Sequence, residues 1–260
     1  MPKHFFLRSG LSLFVSTLLA VSAWAMEVSS FSLPDGTEVS LRQFPASGNT
    51  LLLWFACDEG QGTAESKAAA ELAKRGITTW LPDMLGAHFL PMTPSSMDSL
   101  PAEEIAALID HALTSGKRVY LVTAGRASLP VLRGLAAWQK RAPPNARDAI
   151  EGVLLFYPEL YAGTPVPGAE ARYESVVGET HTRVAILQGE RSPGRWWLRH
   201  LKQAFEQAGS KVYTALLPGV RGYFFVREEQ TPEEAATAVR LPDLVQDALR
   251  QIDAMKEGKP

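Results

Sequence analysis

Residues 118–128 read RVYLVTAGRAS, and this stretch decides the expected fold of the chain. Its first part, 118–123, is rich in apolar and β-branched residues, which predicts a strand buried on both faces of a parallel sheet. A helix is predicted immediately afterwards, at 128–140, where Pro130 falls in the first turn and is tolerated. A buried strand that leads directly into a helix is typical of α/β proteins.

The same alternation of strands and helices continues on both sides of this stretch. An Asp-Gly turn at 34–37 predicts an N-terminal hairpin, and a capping box at 231–234 predicts the start of the last helical region. Strands are predicted at 28–33, 38–42, 50–55, 77–81, 118–123, 152–157, 183–188 and 211–217, and helices at 63–75, 101–114, 128–140, 195–208 and 244–256. We therefore expect one α/β domain over 26–260, with a mostly parallel central sheet and helices on both faces.

Two segments, 82–100 and 158–182, are predicted to be long loops. Loops of this length are uncommon in compact domains and often carry function, so they are candidate contact surfaces for a partner protein.

The charge and cysteine content exclude several classes of function. The 260-residue chain has 26 Lys and Arg against 28 Asp and Glu, a formal net charge of −2. Binding to nucleic acid by charge alone needs a basic surplus, so that partner class is excluded. Cys57 is the only cysteine, which excludes a disulfide framework and a cysteine-rich metal site. No metal or nucleotide motif is present, and we expect neither a metal nor a cofactor.

The first 25 residues have the pattern of a signal peptide. Lys3 and Arg8 precede an apolar run at 11–23, and Ala23 and Ala25 are small residues at the positions that a signal peptidase reads. The run is shorter than the roughly 20 residues that a membrane-spanning helix needs. The pattern predicts export to the periplasm or the extracellular space, with no stable membrane span after cleavage. An uncleaved N-terminal anchor is the alternative.

The order of elements resembles the α/β-hydrolase family over nearly all of 26–260. In that family a strand runs into a G-x-S-x-G turn, which lifts a nucleophile above the sheet at the start of a helix. The matching turn here places Gly125 at the nucleophile position, with Thr123 and Ala127 where the flanking glycines belong. Glycine has no side chain that could attack a substrate, so the resemblance implies the turn without its nucleophile.

The other two positions of a Ser-His-Asp triad are altered as well. The family's acid corresponds to Ser192, with Glu190 as a possible substitute two residues earlier. Its histidine corresponds to Arg221 within LPGVRGY, residues 217–223, which contain no histidine. A serine hydrolase needs a histidine to accept the proton of its nucleophile. The resemblance therefore implies a hydrolase-like protein with a degenerate triad, a pseudoenzyme.

A divergent ester hydrolase is the alternative function, with Ser128 or Cys57 as the nucleophile. Ser128 lies three residues after Gly125, a position that favours a hydroxyl at the start of a helix without a catalytic role. Cys57 follows a buried strand, where a structural cysteine is common. Asp83 and His88 are spaced so that they could form an acid–histidine pair.

Arginines recur at the predicted carboxyl ends of the strands, where ligands of α/β proteins bind. These residues are Arg126, Arg191, Arg195 and Arg221. Guanidinium groups suit carboxylates and phosphates. The aromatic residues near them in sequence are Tyr157, Tyr161, Trp196, Trp197, Tyr223 and Phe224. This pattern favours a small anionic ligand, and a cell-envelope protein is the other partner that we consider. Structural ion pairs with Asp58, Glu59, Asp83, Glu159 and Glu190 are the alternative explanation of the arginines.

Overall fold

The computed structural model describes residues 26–60, 62–166 and 169–256; the predicted signal peptide at 1–25 lies outside them. Eight strands form one sheet in the order β1-β2-β4-β3-β5-β6-β7-β8. They are β1 (Glu27–Ser32), β2 (Glu38–Phe44), β3 (Thr50–Trp54), β4 (Ile77–Pro82), β5 (Arg118–Ala124), β6 (Ile150–Phe156), β7 (Arg183–Gly189) and β8 (Lys211–Leu217). Strand β2 pairs antiparallel with β1 and β4, and the pairs from β4 to β8 are parallel. The predicted mostly parallel α/β sheet is confirmed.

The N-terminal hairpin forms at the predicted Asp-Gly turn. The Asp35 carboxylate accepts the backbone N–H of Thr37 at 2.9 Å, and Gly36 has a φ of +89°. Glycine adopts this left-handed conformation without the steric cost that a side chain would add. The turn therefore sets the register of β1 against β2, which pairs Ser32 with Glu38.

Helices cover both faces of the sheet. They are α1 (Thr63–Lys74), α2 (Met84–Ala87), α3 (Pro94–Ser99), α4 (Ala102–Leu113), α5 (Ser128–Arg141), α6 (Val176–Glu179), α7 (Leu198–Gln207), α8 (Pro232–Val239) and α9 (Leu241–Lys256). Leu51 and Leu53 of β3 join the apolar core beneath α4, α5 and α7. Leu52 and Trp54, on the opposite face of the same strand, join the core beneath α1 and α9. Alternate side chains of each central strand are thus buried on opposite faces.

Two loop predictions and one element boundary need correction. The segment 82–100 contains α2 and α3, which begin at side-chain caps: Asp83 accepts the N–H of Gly86, and Thr93 accepts that of Ser96. The predicted helix at 195–208 starts as a 3-10 turn over Pro193–Trp197 and becomes α-helical at Leu198. The long loop at 158–182 contains the short helix α6.

The capping box at the start of α8 is confirmed. Thr231 accepts the backbone N–H of Glu234, and the Glu234 carboxylate accepts that of Thr231 at 3.0 Å. Within the described ranges, every helix is too short or too polar to span a bilayer. The loops after β3, β5, β6, β7 and β8 meet at the carboxyl edge of the parallel strands, which is where ligands bind in sheets of this kind.

Candidate functional site

The turn after β5 has the strained geometry of a nucleophile elbow. Strand β5 ends at Ala124, Gly125 has a φ of +57°, and a 3-10 turn over Gly125–Ala127 leads into α5. A left-handed residue between a strand and a helix is the conformation that the G-x-S-x-G turn requires of its nucleophile. The backbone of an elbow is present at the predicted position, whereas its nucleophilic side chain is absent.

The ring of Tyr223 occupies the space that a nucleophile would fill. A Cβ atom built on Gly125 would lie 2.5 Å from Tyr223 Oη and 2.7 Å from its Cζ. Tyr223 belongs to the loop after β8, which is the loop that carries the histidine in the α/β-hydrolase family. Its own φ is +60°, a conformation that is unusual for an aromatic residue. Any side chain at Gly125 would therefore collide with this tyrosine.

A buried carboxylate faces the amide that would form the oxyanion hole. In the family, the N–H of the residue after the nucleophile binds the developing oxyanion. Here that N–H belongs to Arg126, and it points at Asp58 Oδ1 at 3.4 Å. The Tyr223 hydroxyl donates to the same oxygen at 2.9 Å, and Asp58 is 6% exposed. A negative charge at this position would repel an oxyanion.

Glu159 is a second carboxyl group at the same tyrosine. Its backbone N–H donates to the Gly125 carbonyl at 3.0 Å, which ties the loop after β6 to the elbow. Burial and the nearby charge of Asp58 raise the pKa of Glu159, and its hydrogen bond with Tyr223 partly offsets the rise. Burial, together with the two carboxylates, raises the pKa of Tyr223. The phenol therefore stays protonated and donates its hydrogen bond to Asp58.

The positions predicted for the acid and the histidine lie side by side, but neither carries its group. Ser192 Oγ lies 3.1 Å from the place of a Cβ on Gly222, which adjoins Arg221. Glu190, the possible substitute acid, accepts the backbone N–H of Gly219 at 3.0 Å. Arg221 turns to the buried Glu234 and donates to both of its oxygens at 2.7 Å. The loops after β7 and β8 therefore lie side by side, as a triad requires, but Ser192 and Arg221 do not form an acid–base pair.

The substitute nucleophiles are both fully buried. Ser128 and Cys57 are 0% exposed, and Ser128 Oγ has no hydrogen-bond partner within the described residues. Burial raises the pKa of the Cys57 thiol, which keeps it protonated and unreactive.

No predicted acid–histidine pair forms. The Asp83–His88 pair that the spacing allowed does not form: Asp83 caps α2, while His88 Nε2 lies 2.6 Å from Glu104. His111 is packed between the rings of Phe31 and Trp80.

Two of the four predicted arginines, Arg126 and Arg195, stabilise loops through hydrogen bonds. Arg126, 14% exposed, pairs with Asp98 and with Glu174, and it donates to the carbonyl oxygens of Glu159 and Tyr161 at 3.2 Å. Arg195 donates to the Glu190 carbonyl at 3.0 Å, and its guanidinium lies 4.1 Å from the ring centre of Trp196. The ion-pair partners expected from the sequence are therefore wrong: Arg126 and Arg221 pair with Asp98, Glu174 and Glu234 instead.

The other two predicted arginines line a cavity of about 520 Å³ at the ends of β6, β7 and β8. Arg191 and Arg221 are joined there by Arg227, which the sequence analysis missed because it lies beyond the last strand-end turn. Among the described residues Arg191 has no ion pair, and Arg227 uses only Nε, on the Gly222 carbonyl at 2.9 Å. Four of the six predicted aromatic residues also line the cavity: Tyr157, Tyr161, Trp197 and Tyr223.

The remaining two aromatic residues lie elsewhere. Trp196 is 73% exposed, and Phe224 is buried in the core. No cluster of three or more His, Cys, Asp or Glu side chains that could hold a metal ion occurs in the described ranges.

Comparisons with known proteins identify the fold. No protein-family model matches the chain, and no curated protein does. Among solved structures, an esterase from Rhizomucor miehei matches with a TM-score of 0.65 at 11% identity, over 90% of this chain and 86% of the other. Carboxyl esterase 2 from Tuber melanosporum matches at 0.62 and 14% identity, over 90% and 89%. The thioesterase domain of the curacin biosynthetic pathway matches at 0.57 and 13% identity, over 85% and 99%. This chain has the α/β-hydrolase fold.

Proposed function

We propose that this protein is an exported, non-catalytic protein with an α/β-hydrolase fold that binds a small anionic ligand. The ligand site is the cavity at the ends of β6, β7 and β8. The observation that carries the non-catalytic part is the contact between Tyr223 and Gly125, because it fills the place of the nucleophile. The Asp58 carboxylate at the Arg126 amide adds a charge of the wrong sign for acyl-transfer chemistry.

The cavity itself supports the choice of an anion. Its volume of about 520 Å³ is within the range of small-molecule sites, roughly 300 to 1,000 Å³. Arg191 and Arg227 form no salt bridge among the described residues, although the charge of Arg191 acts on Glu233. Guanidinium groups bind carboxylates or phosphates through paired hydrogen bonds. Arg221 is less available because Glu234 already neutralises it.

The test is a ligand titration with matched arginine variants. We expect phosphate monoesters or aromatic carboxylates to raise the melting temperature of the wild-type protein in a saturable way. Arg191→Gln and Arg227→Gln should each weaken binding about thirtyfold or more, because truncating one partner of a desolvated charge pair costs about 2 kcal/mol or more. Arg195→Gln is the control, since Arg195 lies in the loop of Arg191 but outside the cavity. Equal losses in all three variants, or no stabilisation by any anion, would refute the proposal.

The same preparation tests the ester-hydrolase alternative. We expect no turnover of a short activated ester above the uncatalysed rate. Turnover that disappears in Ser128→Ala or Cys57→Ala would contradict the non-catalytic assignment and identify the nucleophile.

The export assignment is tested separately from ligand binding. Cleavage after Ala25 predicts a mature N-terminus at Met26 in the exported fraction, which N-terminal sequencing can read. A chain that keeps residues 1–25 and stays with membranes would support the uncleaved anchor instead.

A partner protein remains a second candidate because of one surface feature. Phe89 is 95% exposed and has a φ of +54°, and the nearby Met92 is 66% exposed. An aromatic residue held in a strained conformation and presented to solvent is a common mark of a contact surface. Co-purification of an envelope protein with the wild type and its loss in Phe89→Ser would support this candidate.

A further inference from the structure

Trp196 is exposed to solvent on a segment that is fixed on both sides of it. Its ring belongs to the 3-10 turn after β7 and is largely exposed. Just before it, the Arg195 guanidinium donates to the Glu190 carbonyl at 3.0 Å. Just after it, the Trp197 carbonyl accepts a hydrogen bond from the Tyr173 hydroxyl at 3.2 Å. The surrounding structure therefore imposes the exposure of the ring, which is unfavourable in water.

Two further exposed apolar side chains, Leu216 and Val166, belong to the same end of the sheet. Leu216 pairs with Gln188 in the register of β7 and β8, and a Cβ built on Gly194 would lie 2.9 Å from Gln188 Nε2. Gly194 is two residues before Trp196, so Leu216 lies beside the turn that carries the tryptophan. Val166 adjoins a residue that lines the same cavity as Gly194. A group of exposed apolar side chains marks an interaction site, whereas a single one does not.

Basic side chains accompany this apolar group. Residues 191–205 contain no acidic residue and four basic ones: Arg191, Arg195, Arg199 and Lys202. The Arg195 guanidinium lies over the Trp196 ring, 4.1 Å from its centre. Arg199 is exposed in the first turn of α7, three residues after Trp196. Tryptophan beside long basic side chains is typical of protein surfaces that lie on a membrane.

The acidic groups of this region offset the outer two cations more than the inner two. Their contacts are Glu206 with Lys202 at 3.7 Å, the charge of Arg191 on Glu233, and the Glu190 carboxylate on the backbone N–H of Gly219 at 3.0 Å. Arg195 and Arg199 form no salt bridge with any described residue. Because the whole chain has a formal net charge of −2, attraction to an anionic surface must be local and must act through cations such as these two.

We propose that the surface formed by Val166, Trp196 and Leu216, together with Arg195 and Arg199, binds reversibly to membranes that contain anionic lipids. Trp196 enters the boundary between headgroups and acyl chains, where its ring leaves water, and the two guanidinium groups contact lipid phosphates. A soluble anion would pair with the arginines but would leave the three apolar side chains in water. The inference goes beyond the proposed ligand binding, since neither Trp196 nor Arg199 lines the ligand cavity.

Co-sedimentation of the purified protein with lipid vesicles tests the proposal. We expect binding to vesicles of phosphatidylglycerol and phosphatidylethanolamine that weakens as salt is added, and binding more than tenfold weaker to phosphatidylcholine vesicles, which have no net charge. Trp196→Ser should weaken the binding about tenfold, because the apolar area of the ring is no longer removed from water. Arg199→Gln should weaken it about fivefold, the effect of one cation near an anionic surface.

Two matched variants control for the loss of an exposed apolar side chain and of a positive charge. They are Val239→Ser on α8 and Arg250→Gln on α9. Both helices pack on the face of the sheet opposite to α7, and we expect both variants to bind as the wild type does. All variants keep the same N-terminal segment, so any contribution of residues 1–25 to membrane binding cancels in the comparison.

The fluorescence of Trp196 shows whether the ring itself enters the membrane. The wild-type spectrum minus that of Trp196→Phe isolates the emission of this residue. With anionic vesicles we expect a shift of this difference spectrum to shorter wavelength, and quenching when the acyl chains carry bromine. A difference spectrum that neither shifts nor is quenched overturns the proposal, even where the protein sediments with the vesicles.

The other outcomes separate this inference from the proposed ligand binding. Equal vesicle binding by the wild type, Trp196→Ser and Arg199→Gln refutes the membrane surface. Binding that is lost only in Arg191→Gln or Arg227→Gln also refutes it, and indicates a lipid headgroup in the ligand cavity. Absence of vesicle binding, with saturable stabilisation by soluble anions, refutes the membrane surface alone. Vesicle binding that depends on Trp196, without stabilisation by any soluble anion, supports the membrane surface and refutes the ligand.

Discussion

Replacing Glu65 by Gln is expected to remove a large pH dependence from the stability of the protein. Glu65 lies in the first turn of α1 and is 1% exposed, and its Oε2 has no hydrogen-bond partner within the described structure. Burial raises the pKa of Glu65 from 4.5 to about 7, although the positive charge of Arg42 opposes the rise. The folded protein therefore holds a proton on Glu65 at pH values where the unfolded chain has lost it.

The size of the effect follows from the two pKa values. A rise from 4.5 to about 7 corresponds to about 3 kcal/mol of unfolding free energy. Because the folded pKa is the higher one, this contribution is fully present below the unfolded pKa and is lost as the pH rises through the folded pKa. The wild type should thus lose about 3 kcal/mol relative to Glu65→Gln between about pH 4.5 and pH 8. In a chain of this size that difference moves the melting temperature by roughly 6 to 12 °C.

Urea unfolding of both proteins at several pH values in this range measures the difference directly. The new amide adds a constant offset, because its NH₂ group takes the place of the unpartnered Oε2, so the slope with pH is the informative quantity. Glu71→Gln is the matched control on the same helix, since Glu71 is exposed and pairs with Lys74. A difference between wild type and Glu65→Gln that stays constant from acid to alkaline pH would refute the reasoning.

Three further predictions concern the elbow and its surroundings. Gly125→Ser should lower the melting temperature without creating esterase activity, because the new Cβ would collide with Tyr223 at a positive φ; a stable, active variant would contradict the contact. Thr231→Ala should lower the unfolding free energy by about 1 kcal/mol in urea titrations, because the cap of α8 is lost; an unchanged midpoint would argue against the capping box. Cys57 should resist a thiol reagent in the folded protein and react once urea unfolds it, because it is fully buried and its pKa is raised by that burial; rapid labelling of the native protein would show an open site.

The sequence was sufficient for the sheet and for the strand-to-helix turn at Gly125, since both depend on local pattern. Apolar runs such as 118–123 predict β5, and Gly125 can be identified within the strand-to-helix turn without coordinates. The residue that fills the space beside Gly125, Tyr223, could not be predicted from the sequence. Tyr223 reaches Gly125 from a loop nearly a hundred residues later, and its placement depends on the packing of β6, β7 and β8.

The roles of the arginines could not be predicted from the sequence for the same reason. Arg126 binds Asp98 and Glu174, which are distant in sequence and adjacent only after α3 and the loop after β6 have packed on the elbow. The helices inside 82–100 are a different case, because the caps at Asp83 and Thr93 are visible in the sequence. The prolines and the length of the segment are typical of a loop, and they outweighed the signal of the two caps.

The contacts of Arg126 have a consequence for the kinetics of the proposed ligand binding. One guanidinium group joins α3, the elbow and the loop after β6, so these three segments are fixed relative to one another before any ligand arrives. The wall of the cavity that carries Glu159 and Tyr161 is therefore prearranged, and little loop ordering is left to oppose binding. The cavity should already have its binding conformation when a ligand arrives. The observed association rate should therefore grow linearly with ligand concentration, with no plateau from a slow opening step.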